Sequence, residues 1–137
     1  MVKRHNKRIA VGKSWPIARK SNVWITRPNP GAHTVQEAMS LNSLIKEVLG
    51  LAKTTKEVKN ILQGKVVLVD GKRRKDPRFC VGLFDVVTFQ ETKKSYRLSF
   101  ASTGKLKVQE VEAKQVNLKP VRIVGKSQLS GAKTQLN

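Results

Sequence analysis

The sequence predicts an α+β fold in the order basic arm, two helices, then antiparallel strands. Three observations carry that reading. Charge divides the chain: residues 1–36 hold eight Lys/Arg and no acid, residues 37–112 hold fifteen basic and all nine acidic residues, and residues 113–137 hold five basic and no acid. Apolar positions repeat with helical spacing between residues 40 and 62. Short β-branched runs punctuated by turn residues fill the stretch from 65 to 111. The middle segment, 37–112, therefore reads as the folded body. Both ends read as segments that lie on something negative, or lack order without it.

The elements follow from local chemistry. "SLNSLIKEVL" (40–49) places Leu41, Leu44, Ile45 and Val48 on one helical face. Gly50 then suits the left-handed residue that ends a helix. In "TTKEVKNILQG", Thr54 and Glu57 fit a capping box, and Val58, Ile61 and Leu62 form an apolar stripe. Only Gly50 to Lys53 separate the two helices, which predicts a tight helical hairpin. "KVVLVDG" reads as a strand running into an Asp-Gly turn of the primed kind. "LFDVVTF" (83–89), "SYRLSF" (95–100) and "KLKVQEV" (105–111) are further strands, the last two joined at Thr103-Gly104. "NLKPVRIVG" (117–125) is a weaker strand, broken or placed at an edge by Pro120. The expected core is Leu44, Ile45, Val48, Val58, Ile61, Leu62, Val67 and Val69.

Composition narrows the function. The chain has 137 residues and a formal charge of +19, from 28 Lys+Arg against 9 Asp+Glu. Such an excess opposes compaction unless a polyanion neutralises it. A lone Cys80 excludes an internal disulfide and a cysteine-based metal site, and points to a reducing, cytoplasmic location. His5 and His33 have no ligand partners near them in sequence, so neither a metal nor a cofactor is expected. No apolar run is long enough for a membrane helix. The N-terminus lacks the apolar block of a signal peptide, and its glycines and prolines oppose the continuous helix of a transit peptide.

The densest charge lies in "VVLVDGKRRKDPRF" (66–79). Lys72, Arg73, Arg74, Lys75 and Arg78 fall within seven positions, opposed by Asp76 alone. Like charges at a hairpin tip repel weakly in water. They become favourable when phosphates lie between them and condensed counterions are released. The arm "KRHNKRIAVGKSW" has the same character, with Lys3, Arg4, Lys7, Arg8 and Lys13 near Trp15. Trp15 divides between packing and stacking on a base or sugar, whereas Trp24 reads as a cap on the core. "VGKS" occurs at 11–14 and 124–127 but lacks the upstream glycine of a phosphate loop. No nucleophile, base or acidic pair suggests catalysis.

These pieces in this order resemble a known family. Residues 41 to 89, through "LAKTTKEVKNIL", "VLVDGKRRKD" and "GLFDVV", resemble the small RNA-binding module named after bacterial ribosomal protein S-four. More specifically, "KRHNKRIAVGKSW", "RPNPGAH" (27–33) and the final "SGAKTQLN" make the whole chain similar to the archaeal and eukaryotic S-four-e family of small-subunit ribosomal proteins. The resemblance implies a basic extension at 1–39, the RNA-binding module at 40–92, and the beginning of an incomplete central β domain at 93–137. It implies small-subunit rRNA and neighbouring ribosomal proteins as partners, a monomer within the cytoplasmic ribosome, and no enzymatic activity. Carried over residue by residue, the RNA face comprises Arg4, Lys7, Arg8, Lys13 and Trp15 from the arm, and Arg27 and His33 from "RPNPGAH". Lys53, Thr54, Lys56 and Lys59 come from the second helix; Lys72, Arg73, Arg74, Lys75 and Arg78 come from the hairpin. Thr55 and Lys65 depart from the general module, which carries Arg and Gly there. The rival readings are a free RNA chaperone, or the targeting module of an rRNA-modifying enzyme.

Overall fold

The computed structural model describes residues 5–137. Among the described residues there are four antiparallel sheets, two helical segments and two 3₁₀ turns, Arg8–Ala10 and Ala113–Gln115. The first helical segment, α1 (Leu41–Ser43), continues directly into a π-helical stretch, Leu44–Val48. Ser40 caps it, its side chain accepting from the Ser43 N–H. The wider turn shows in the 2.9 Å bond from Leu49 N to Leu44 O, five residues back. Gly50 takes φ +65°, as a helix-ending residue should. The second helix, α2 (Thr55–Gly64), carries the expected capping box: the Thr54 side chain meets the Glu57 N–H, and the Glu57 side chain meets the Thr54 N–H. Val58 and Leu62, one turn apart, are fully buried.

The largest sheet has five strands in the order β5-β4-β7-β8-β9. These are β4 (Val67–Val69), β5 (Lys72–Arg73), β7 (Val86–Phe89), β8 (Lys94–Phe100) and β9 (Leu106–Val111). Asp70 and Gly71 join β4 to β5 with φ of 47° and 75°, the two left-handed residues that a type I′ turn requires. The Asp70 carboxylate also accepts from the Val86 N–H, so the turn is tied to the neighbouring strand. Strand β7 starts later than the sequence suggests, because Phe84 adopts φ 65° and turns the chain first. Gly104, at φ 73°, supports the β8–β9 turn. Val67, Val69, Val87 and Phe89 enter the core from this sheet, against Leu44, Ile45, Val58 and Leu62. Val48 and Ile61, expected inside, are only partly buried against that cluster.

Two small sheets escape a local reading. Strand β3 (Ala38–Ser40) pairs with β6 (Cys80–Gly82), and all six residues are buried. At the C-terminus, β10 (Lys126–Leu129) and β11 (Lys133–Leu136) form a separate hairpin with every residue exposed. The strand expected over 117–125 does not form. The backbone there carries no ladder, and Leu118, Val121, Ile123 and Val124 are exposed.

The arm departs most from expectation. Residues 1–33 read as a segment without a stable fold of its own. Instead β1 (His5–Lys7) pairs with β2 (Trp24–Thr26), and the chain between them packs on the body. Val11 and Trp15 join the core cluster, and Leu106 N donates to Ser14 O at 2.7 Å. Arg8 is 1% exposed. Its guanidinium forks onto Glu47, with Nη1 to Oε1 at 2.9 Å and Nη2 to Oε2 at 2.8 Å, while Nε donates to Ala18 O. Counting charge along the sequence could not show this, since Glu47 lies 39 positions away.

Two expected outcomes test this packing. Leu62→Ala removes a side chain with no exposure and costs about 2–5 kcal/mol in urea denaturation. Ile61→Ala, at a half-open site, costs clearly less. Breaking the arm's anchor with Arg8→Met leaves Glu47 with only the more distant Lys46, 3.5 Å away. For a buried pair this costs roughly 3–5 kcal/mol; Glu47, at 18% exposure, places the value at the lower end. The Arg8 hydrogen bond holds the Glu47 carboxyl below its usual 4.5, against the opposing effect of burial. A depressed pKa contributes stability above the unfolded value and loses it as pH falls through the folded one. Wild type therefore loses stability below about pH 4.5 through this pair, and Arg8→Met lacks that component of the loss.

Candidate nucleic-acid interface

Three neighbouring pieces build one cationic surface. On α2, Lys56, Lys59 and Gln63 fall at helical spacing on one exposed face. Lys53 stands exposed just before the helix. The β4–β5 hairpin abuts the other end of α2, where Arg73 Nη2 donates to Gln63 O at 3.3 Å. That contact also sets a cation against the carbonyl-rich end of the helix. Lys72, Arg73 and Lys75 are exposed on and just beyond β5. As an edge strand, β5 carries the charged side chains that keep an edge from pairing with another chain.

A third piece comes from the arm. Asn29 Nδ2 donates to Asp76 Oδ2 at 2.6 Å, and Asn29 N bonds to Arg78 O at 2.8 Å. These bonds dock the "RPNP" segment on the loop after β5. Arg78 Nε donates to Arg27 O at 3.4 Å, so the Arg78 side chain also reaches the backbone of this segment. Asp76 is spent on this loop: its other oxygen caps the Arg78 N–H at 2.8 Å.

Among the described residues, no carboxylate lies within 4.0 Å of the side chains of Lys7, Lys13, Arg27, Lys53, Lys56, Lys59, Lys72, Arg73, Arg74, Lys75 or Arg78. The ion pairs form elsewhere. Glu57 and Asp76 lie among these cations, but their carboxylates are engaged by backbone N–H groups and by Thr54 and Asn29, and the excess of cations presents a positive field to solvent.

Several expected RNA contacts are occupied otherwise. Arg8 is buried on Glu47 and offers no free donor to a ligand at the surface. Trp15 is 3% exposed, and its indole N–H donates to Val35 O at 3.1 Å, which decides for packing over stacking. The Thr54 hydroxyl is held in the capping box, donating to Glu57 Oε1 at 2.9 Å and accepting from Glu57 N at 3.2 Å. His33 Nε2 lies 3.0 Å from Asp85 Oδ2, and its ring covers Gly82 so closely that no Cβ could fit there. Arg74 is half-buried, its guanidinium 4.3 Å over the Phe79 ring. Arg4 lies outside the described residues.

Other residues carry roles that the sequence hid. Trp24, expected to cap the core, is 54% exposed and meets the His5 ring edge-on at 4.8 Å between centroids. Lys119 bridges Asp70, at 2.9 Å, and the buried Asp85, so the segment after β9 is fastened to the base of the hairpin. Burial alone would lower the Lys119 pKa, but its bonds to Asp85 and Asp70 raise it. Arg97 Nη2 donates to Gln115 O and Leu118 O, both at 2.7 Å, and fastens the same segment. Neither "VGKS" leads from a buried strand into a helix. No group of three metal-ligating side chains occurs among the described residues.

The chain is similar throughout its length to proteins of one kind. Residues 2–36 match the RS4NT domain, residues 41–87 the S4 domain, and residues 92–137 the ribosomal family S4e. The small ribosomal subunit protein eS4 of Methanosphaera stadtmanae is 40% identical over 135 residues, covering 98% of this chain and 56% of the relative. That of Archaeoglobus fulgidus is 42% identical, covering 100% and 57%. The crystal structure of the 30S ribosomal protein S4e from Thermoplasma acidophilum superposes with a TM-score of 0.57 at 28% identity, covering 73% of this chain and 51% of that one. The chain thus spans rather more than half the length of these sequence relatives. With three successive domain matches and relatives of this identity along its whole length, the chain belongs to the ribosomal S4e family.

Proposed function

We propose that this chain is a structural constituent of the small ribosomal subunit and holds small-subunit rRNA on the surface formed by α2, the β4–β5 hairpin and the docked "RPNP" segment. The absence of carboxylate partners around these cations carries the reading. Phosphates are the natural counter-charge for such a face. The relatives' names, small ribosomal subunit protein eS4, support an rRNA partner and neighbouring ribosomal proteins in the cytoplasm. The chemistry asked of the surface is binding, with no bond made or broken.

Recognition on this reading is of shape and phosphate. The deep, narrow major groove of an RNA duplex admits side chains poorly, so Lys and Arg read backbone geometry instead. Lys72, Arg73 and Lys75 are exposed and form the tip of the contact. Lys53, Lys56 and Lys59 extend it along α2. Arg27 and Arg78 bring the "RPNP" segment to its edge. Lys7 and Lys13 add charge from the arm without joining the same patch in any contact seen here. The division at 1–39, 40–92 and 93–137 is proposed as a division of labour: a folded arm, the RNA-binding module, and a strand-rich segment whose first two strands, β8 and β9, complete the module's sheet.

Replacing Lys72, Arg73 and Lys75 together with Ala separates phosphate contact from a merely solvated tip. Binding to a small-subunit rRNA fragment weakens, and the plot of log affinity against log salt flattens by about two units, from roughly 0.7–0.9 per lost contact. Filter binding over a range of KCl measures both, with circular dichroism to confirm folding. An unchanged slope in the folded variant removes the hairpin from the interface. Arg74→Ala behaves differently: it loses the stack on Phe79, so stability falls by about 0.5–2 kcal/mol while the salt slope moves little. Sucrose-gradient fractionation tests the setting. Steady comigration with small subunits supports a structural constituent, whereas association that changes with stress favours a free RNA chaperone.

A further inference from the structure

A second site borders the phosphate-facing surface, with Thr55 of α2 and Thr26, next to Arg27, in its lining. Where β1 and β2 meet the first helical segment, a cavity of about 180 Å³ is lined by His5, Trp24, Thr26, Asn42 and Lys46 among others. It is smaller than the roughly 300–1,000 Å³ of sites for drug-sized ligands, and its size suits one planar ring system. Trp24 stands at its wall, 54% exposed, with one edge contact to His5. A half-exposed indole presents a large face on which another ring stacks well.

The polar lining is unusual. Asn42 is 3% exposed; its Nδ2 donates to Thr26 Oγ1 at 2.7 Å, but its Oδ1 has no hydrogen-bond partner among the described residues. A buried acceptor left without a donor is costly, and such groups ask for an explanation. Lys46 stands at the rim, 3.5 Å from Glu47, which also lines the cavity and is forked by Arg8, so the three groups together leave one net positive charge there. An apolar ring wall, an unmatched buried acceptor and a nearby cation match the three parts of a nucleotide: a base face, an N–H on a base edge, and a phosphate.

We infer that this cavity takes a single unstacked nucleobase of the bound RNA, stacked on Trp24, with an N–H of its edge donated to Asn42 Oδ1 and its phosphate beside Lys46. The inference rests on the RNA-binding reading above and adds to it a contact with a base as well as with phosphate. Stacking on one aromatic ring is tolerant of base identity, since every base has a π face. The contact therefore selects single-stranded over paired RNA rather than one sequence over another.

The test compares a short oligoadenylate with an analogue of equal length built from tetrahydrofuran abasic residues. The two carry the same phosphates and differ only in bases. Wild type binds the oligoadenylate about tenfold or more tightly, and the oligoadenylate alone quenches indole emission. In Trp24→Ala the preference collapses while affinity for the abasic strand stays unchanged; Trp24→Phe keeps much of the preference. Equal preference in Trp24→Ala and wild type overturns the inference, as does a wild type that shows neither preference nor quenching. The quenching measurement needs no variant, so it decides even if Trp24→Ala does not fold. Strong binding of both strands without preference sinks only the base site. Failure of wild type to bind either strand at low salt sinks the RNA reading itself, and this inference with it.

Discussion

Nine carboxylates face 28 cationic side chains in this chain, and the placement of those nine governs much of the architecture. Glu47 receives the buried Arg8 and fixes the arm to the first helical segment. Asp76 receives Asn29 and fixes the "RPNP" segment to the loop after β5. Asp85 accepts from the Gly82 N–H, meets His33, and shares Lys119 with Asp70. Each of these carboxylates joins segments distant in sequence. Acids used as internal fasteners cannot also screen the surface, so the α2 and hairpin cations remain without partners. A strongly basic protein thus keeps both a definite fold and an unneutralised face.

The parts of the fold that were legible in sequence are those fixed within a few residues. The capping box needs only Thr54 and Glu57, and the type I′ turn needs only Asp70 and Gly71. The parts that were not legible depend on pairing across long separations. "AMS" and "CVG" are too short to announce strands, and each becomes one only because the other lies opposite. Trp24, expected to cap the core, faces outward for a related reason. Strand β2 alternates faces, so placing Ile25 inside turns Trp24 outward. Trp15, in an irregular stretch with no period to read, is the one that packs.

The site shows the same division. The cations of α2 and the hairpin were visible as charge runs, and all of them except the half-buried Arg74 and Arg78 are exposed. Arg8 was invisible as an exception, because nothing near it in sequence could pair with it. Thr54 is different: the capping box read from the sequence already uses its hydroxyl, so the two assignments competed and the local one won. His33 belongs to both classes. It lies beside the basic "RPNP" segment, but the partner that holds it, Asp85, arrives from 52 positions away.

The segment after β9 follows from the same allocation of charge. Residues 113–137 contain no acid, so any ion pair that holds them must use a carboxylate from the body. Lys119 does so, on Asp70 and Asp85, and Arg97 adds bonds to two backbone carbonyls. The Asp70 carboxyl, which burial alone would raise, is held below its ordinary range by Lys119 and the Val86 N–H. Past this clasp the chain gains nothing further from the body: the β10–β11 hairpin is exposed along both strands. A two-stranded ribbon alone in water is marginal. Its cations, Lys126 and Lys133, repel rather than attract the basic body behind it. The clasp at Lys119 therefore sets where the tightly held structure stops, at the foot of the very hairpin whose tip carries the phosphate-facing charge.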